Sequence, residues 1–468
     1  PHDPAPADEP WRMVHEFDPA NPSWLKRITE LPLPGFRSGP LSSGRSSIRD
    51  YPLGRLVELA PDSAAAAWEA YPLPVEAVGR PHMLDVEFPS DVPQTLGISV
   101  VEAGPGRTTP AVSLDSGFDL PAASAGQRRW LKHRLVFWPR TAAPWVLFHN
   151  RRGSGPAVYG KVRVLAGPER LPETPASEQP ADRAVMAYLD KPLFAKNFSG
   201  AESVDAWSGR ALDDWSTFYQ GGTRLTQYLR HLGYGGALLT VASEGGAIYP
   251  SDLLQPTPRF DTGPFFTSGQ DLQRKDVLAM LLNLFDRHKL KLIPAVEFCS
   301  PLPELENVLR AGGDDAQGLL WVGADGLTWR QRHPSGGPAP CYNPLHPRVQ
   351  AAMLQVVREL ASRCSGHSSF EGLAIALSAR GYAQLPGPDW GFDDTTVARF
   401  TEETQIEVPG SGATRFAQRA AFLLGPKRAE WLAWRAATMK NLYRAMRREV
   451  GLAKPDAQLI LAGGKMLE

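Results

Sequence analysis

Three carboxylates follow apolar runs of the kind that form buried strands. Glu244 comes after LLTVAS, Glu297 closes LIPAVEF, and Asp389 lies in GYAQLPGPDWGFDD, downstream of the run GLAIALS that begins at residue 372. Acids at the C-terminal ends of parallel strands are where a (β/α) barrel presents its chemistry. Two carboxyl groups that face each other across a bond supply a general acid and a nucleophile or base. Cleavage of a glycosidic bond needs them ~5 to 5.5 Å apart for retention and ~6.5 to 9.5 Å apart for inversion. Glu244, Glu297 and Asp389 are therefore the candidate catalytic residues. Each also has an ordinary structural use. Glu244, followed by Gly245 and Gly246, reads equally as a solvated loop acid, and Glu297 as a buried acid paired with Arg or Lys.

Around these acids stand residues that could hold a sugar. Trp390 beside Asp389 offers an indole face next to a carboxylate, a common way to bind a pyranose ring. Asn197, Tyr249 and Tyr382 fall on loops after the first, second and fourth strands, where turn or core filling is the competing use. Asp393 and Asp394 precede TTVARF, so one of them is expected to cap a helix rather than catalyse. His82, on an apolar face, reads as a core histidine, and His333 and His346 lack ligand spacing. Cys299, Cys341 and Cys364 have neither CxxC spacing nor an even count, which supports neither a zinc site nor a disulfide framework and leaves room for one bridge. No metal and no cofactor is expected.

Lys plus Arg and Asp plus Glu number 50 each, so no net field draws nucleic acid or an anionic membrane. No stretch approaches the ~20 apolar residues of a membrane span. The chain opens on PHDPAPADEP, which reads as a mature or trimmed N-terminus. A secreted, periplasmic or cell-surface location is the corresponding expectation.

The elements that must position these residues fall into two classes. Up to residue 166 the pattern has period two, as in PHMLDVEF and LGISVVE, which places Leu84, Val86, Phe88, Leu96, Ile98 and Val100 on inward faces of a β-sandwich. Only AAAAWEA, residues 64 to 70, reads as a short helix there. Residues 167 to 183 are polar and Pro-rich, a linker. From 184 to 468, strands expected at 184 to 190, 235 to 243, 291 to 298, 371 to 378 and 457 to 464 alternate with helices at 213 to 233, 276 to 289, 347 to 363 and 427 to 450. Residues 302 to 346 form an insert.

The stretches RPHMLDVEFPSDVPQTLGIS, IYPSDLLQPTPRFDTGPFF, KDVLAMLLNLFDRHKLKLIPAVEF, YNPLHPRVQ and GYAQLPGPDWGFDD resemble the glycoside-hydrolase-like (β/α)-barrel proteins of planctomycete-type bacteria, related to the large retaining clan, with a jelly-roll domain in front. The resemblance implies a TIM-type (β/α) barrel after an all-β sandwich, and a protein that cleaves or binds oligo- or polysaccharide. Clan members usually place an acid directly after the strand that here ends at Ser378; Arg380 occupies that region instead and becomes a candidate sugar contact. That departure favours the alternative reading, a non-catalytic carbohydrate-binding or surface-structural protein. Five strands do not close a barrel of eight. The expectation is that a longer chain or a second chain supplies the remaining barrel strands.

Overall fold

The computed structural model describes residues 11–21, 40–60, 66–103, 110–121, 128–150, 155–173, 185–198, 215–243, 246–254, 275–333 and 342–465. Contacts divide the chain into two units. One holds Pro1–Gln179 with Phe194–Gly233, and the other Pro180–Leu193 with Tyr234–Glu468.

The first unit is built from antiparallel strands β1 (Arg12–Phe17), β2 (Leu41–Ser42), β3 (Ser46–Tyr51), β4 (Gly54–Leu59), β5 (Trp68–Pro72), β6 (His82–Pro89), β7 (Gln94–Ala103), β8 (Pro110–Leu120), β9 (Trp130–Phe137), β10 (Trp145–Asn150), β11 (Ala157–Tyr159) and β12 (Val162–Ala166). They form sheets of order β1-β12-β6-β9, β2-β5-β10-β7-β8 and β11-β4-β3. Alternation decides which face is covered. Leu84, Val86, Phe88, Leu96, Ile98 and Val100 are all buried, and Phe148 and Tyr159 stack with ring centroids 4.2 Å apart. A slip of one residue would turn every one of these apolar side chains outward. Residues 68 to 70, expected to be helical, are instead the start of β5, because Trp68, Glu69 and Ala70 pair with His149, Phe148 and Leu147 of β10. Helix propensity loses to the neighbouring strand. His82 is a buried core residue that lies between Arg80 O and the Glu76 amide, and burial lowers its pKa.

The short helix α1 (Phe194–Asn197) and α2 (Trp215–His231) belong to this unit as well. The buried Arg224 of α2 donates to Phe198 O and Gly79 O, each at 3.1 Å, with its guanidinium 5.6 Å from the Trp138 ring centroid.

The second unit is a parallel sheet of β13 (Met186–Leu189), β14 (Gly236–Ser243), β16 (Lys291–Val296), β17 (Gly372–Ser378) and β18 (Gln458–Lys465), in that order; the two-residue β15 (Gly246–Ala247) pairs antiparallel with β14. The strands add in chain order, as strand and helix alternate. Helix α3 (Val277–His288) starts on Asp276, whose side chain accepts from the Ala279 amide. After it come α4 (Pro303–Ala311), α5 (Trp329–Arg332), α6 (Pro347–Cys364), α7 (Asp394–Thr404), α8 (Arg415–Leu424) and α9 (Arg428–Ala453). The result is a half-barrel rather than a closed one. Among the described strands β13 and β18 are its edges. Gly236 and Gly372 open β14 and β17, where a Cβ would lie 1.9 Å from Lys291 O and 2.1 Å from Gln458 O, so only glycine lets adjacent backbones pair there.

Candidate functional site

The C-terminal ends of four adjacent parallel strands each deliver one polar side chain. Lys191 follows β13, Ser243 ends β14, Glu297 follows β16 and Ser378 ends β17. Register makes this cluster. The Glu297 amide donates to Ala242 O at 2.9 Å, which sets Glu297 level with Ser243. Ser243 Oγ donates to Glu297 Oε2 at 2.5 Å, and Lys191 Nζ donates to the same oxygen at 3.2 Å and to Ser243 Oγ at 3.4 Å. Cys299 Sγ lies 3.9 Å from Ser243 Oγ.

Glu297 is 6% exposed. Burial pushes its carboxyl pKa up, but the hydrogen bond from Ser243, the proximity of Ser378 and the charge of Lys191 outweigh that, and the net shift is downward. Ser378 Oγ is buried without a hydrogen bond of ordinary geometry, whereas Ser243 and Lys191 both bond Glu297 Oε2 directly. Glu297 is therefore held ionised. That suits a base, a nucleophile or a hydrogen-bond acceptor, and is opposite to what a general acid requires.

Glu297, Ser243 and Tyr382 line one cavity, closed further by Leu302 and Leu254, with room of about 20 Å³. That volume holds about one water molecule. Tyr382 is buried, donates its hydroxyl to Ser300 O at 2.9 Å and meets Tyr342 edge-on at 5.0 Å. Tyr342, from the insert, accepts from the Leu302 amide and donates to Glu306. The insert thus packs against the loops that border Glu297.

The other sequence-based candidates are distributed differently. Glu244 lies outside the described residues. Asp389 is exposed and does not line the cavity of Glu297. Its loop is anchored by the buried Arg435, which donates to Pro386 O and Gly387 O at 3.2 and 3.1 Å; burial lowers the Arg435 pKa to about 10, and the charge of Asp389 partly offsets this. Trp390, expected to offer a face to a sugar, is buried instead. It packs 4.8 Å from Trp329 and under the Arg332 guanidinium at 4.7 Å, within an aromatic cluster that includes Trp321, Trp431 and Trp434. Its neighbours occupy the faces a pyranose would need. Tyr249 is fully buried with the Arg363 guanidinium 5.4 Å from its ring centroid, and burial raises its pKa. Arg380 is exposed just beyond β17. Asn197 ends α1, the first element after β13, and groups with the first unit. Asp393 is the N-cap of α7, accepting from the Thr396 amide at 2.8 Å.

Sequence reasoning did not single out Lys191, Ser243 or the role of Ser378. The available signal was positional: each stands at or within two residues of the last residue of a parallel strand. Among the described residues no group of three or more His, Cys, Asp or Glu could hold a metal ion, and no helix is long and apolar enough to cross a membrane.

No family model matches the chain, and no curated protein matches it in sequence. Solved structures similar to parts of it include a β-galactosidase from the psychrophilic Marinomonas ef1, at 12% identity and a TM-score of 0.35, covering 51% of this chain and 34% of that one. An α-L-fucosidase isoenzyme 2 from Paenibacillus thiaminolyticus matches at 12% identity and a TM-score of 0.35, covering 60% and 32%. BiXyn10A CBM1 matches at 12% identity and a TM-score of 0.22, covering 33% of this chain and 97% of that one. The chain spans about a third of the length of the galactosidase and the fucosidase. Likeness at this level carries no inference about substrate or reaction.

Proposed function

We propose that the chain is a carbohydrate-active protein on a glycosidase-like half-barrel, with hydrolysis of a glycosidic bond in an oligo- or polysaccharide as its reaction. The observation that carries this reading is Glu297, a buried carboxylate kept ionised at the C-terminal end of the sheet's middle strand, where such folds place their chemistry. Glu297 takes the base or nucleophile role. Ser243 and Lys191 position it and hold its charge. The partner acid is Glu244, the residue after Ser243 in the chain, with Arg380 and Asp389 as contacts at the rim.

One observation favours the second reading, non-catalytic carbohydrate binding. The cavity at Glu297 admits a water molecule and not a sugar ring. A glycan array followed by incubation with every glycan retained separates the two. Hydrolysis that is lost in Glu297→Gln and Glu244→Gln supports the first, retention without turnover supports the second, and no retention at all removes both.

A further inference from the structure

Helix α4 begins on a wall of the Glu297 cavity and has little apolar packing to keep it there. Leu302, its N-cap, lines that cavity together with Ser300 and Pro301. Within the helix Leu305 alone is buried. Pro303 keeps the preceding Leu302 extended, at φ −97° and ψ 123°, which fixes the corner where the helix starts. At the far end Gly312 and Gly313 both have positive φ, 70° and 77°, and a Cβ on either would meet nothing within 4 Å. Adjacent glycines at the end of an element, uncrowded by neighbours, are suited to absorb the backbone change of a hinge.

What fastens the helix is polar. Glu306, one turn beyond Leu302, accepts two hydrogen bonds from the Arg330 guanidinium of α5, one of them at 3.1 Å, and another from Tyr342 Oη. Tyr342 Oη in turn accepts from the Leu302 amide at 3.0 Å, where the helix has no side-chain cap of its own. The Arg330 guanidinium also lies 5.9 Å from the Tyr342 ring centroid. Three side chains of the insert thus tie the start of α4 in place.

We propose that α4 is a lid over Glu297, hinged at Gly312 and Gly313 and latched by Glu306, Arg330 and Tyr342. Closed, it leaves a cavity that admits one water molecule. Swung outward about the glycines, it withdraws Leu302 and opens Glu297 and Ser243 to a larger ligand. Glu306 is the control point, because it bonds both other members of the latch. Arg330 keeps 41% of its side chain in solvent and Glu306 26%, so an incoming ligand with acceptor oxygens competes for the guanidinium. That this ligand is a glycan rests on the glycosidase reading; the lid itself rests on α4 and its latch.

Hydrogen exchange of the Leu302 amide, measured in the 468-residue chain, reads the latch. Opening breaks its bond to Tyr342, and neither Arg330→Met nor Glu306→Gln alters that bond directly. Each variant should speed Leu302 exchange about tenfold, as the loss of charge-assisted hydrogen bonds from a local opening implies. The double variant should exceed the faster single one by less than about twofold, since both substitutions break one latch. Arg358→Met, which removes a pair with Glu449 elsewhere in the same unit, should leave Leu302 unchanged. Unchanged Leu302 exchange in both single variants overturns the lid. So does an equal acceleration of the β17 amides, which marks general destabilisation. Turnover separates the lid from the chemistry beneath it. Where a glycan is hydrolysed, Glu306→Gln should lower its KM while Glu297→Gln abolishes turnover. Faster Leu302 exchange with no glycan hydrolysed by any variant leaves the lid standing and removes the glycosidase reading alone.

Discussion

Replacing Glu297 by Gln keeps the shape of the side chain and removes the charge that Lys191 and Ser243 answer. Breaking a fully buried pair costs about 3 to 5 kcal/mol. Lys191 keeps about a quarter of its side chain in solvent, so screening reduces the figure, and the expected loss at pH 7 is about 1 to 3 kcal/mol in urea unfolding. The folded pKa of Glu297 lies below its ordinary value of 4.5. Its stabilisation is thus complete above the carboxylate range and is lost as pH falls through the depressed value. The difference between wild type and Glu297→Gln should be flat from neutral pH down to about 4.5 and shrink below it. Lys191→Met should raise the Glu297 titration midpoint, measured by NMR; an unchanged midpoint would show that Ser243 alone holds the charge. Glu297 itself was legible in the sequence, because an acid closing an apolar strand stands out. Lys191 and Ser243 were not, since Lys and Ser after a strand are ordinary until register shows that they share one oxygen.

Asp393 shows a different kind of legibility at the scale of an element. The motif FDDTTVARF announces a cap, and the structure supplies the Thr396 amide that the cap bonds. Burial, working against hydrogen bonds from Thr396, raises the Asp393 carboxyl to about 6. Between its ordinary value of 3.8 and about 6 the folded chain then keeps a proton that the unfolded chain has released. Stability falls as pH climbs through that window, by roughly 3 kcal/mol for a shift of this size. Asp393→Asn, which still caps, should flatten the slope between about pH 4 and pH 6; Asp393→Ala flattens it as well and lies about 1 kcal/mol below Asp393→Asn at every pH, because the cap is lost. Thermal midpoints across that range distinguish the two; equal slopes in wild type and Asp393→Asn would mean that the carboxyl titrates elsewhere. Trp390, four residues from the helix start, was misleading by the same local logic. An indole beside an acid looks like a sugar platform until the insert, more than forty residues away in the chain at its near end, places Trp329 and Arg332 on it. Packing across such a distance leaves no mark on the residues around Trp390.

For the molecule as a whole, period-two and helical periodicities separate a sandwich from a parallel sheet because the two burial patterns differ at every residue. Membership of α2 is another matter. Its sequence, DDWSTFYQGGTRLTQYLRHLG, has the amphipathic face of any helix that precedes a parallel strand, and nothing local says which core covers it. Contacts group it with the sandwich, through Arg224, whose side chain is buried against Trp138 and bonded to two backbone carbonyls. Burial lowers the pKa of that guanidinium to about 10, a sign of how far it has been taken from water. Its removal strands two carbonyls and a helix face within the first unit. Arg224→Ala should therefore cost about 2 to 4 kcal/mol in the first unit, a value at the upper end for a single substitution. Two units, each with its own core, should unfold with separate sensitivities. In calorimetry Arg224→Ala is expected to lower one transition and Glu297→Gln the other. If both variants instead displace a single common transition by similar amounts, the chain unfolds as one cooperative body and the division at residues 179, 194 and 233 is geometric without being thermodynamic.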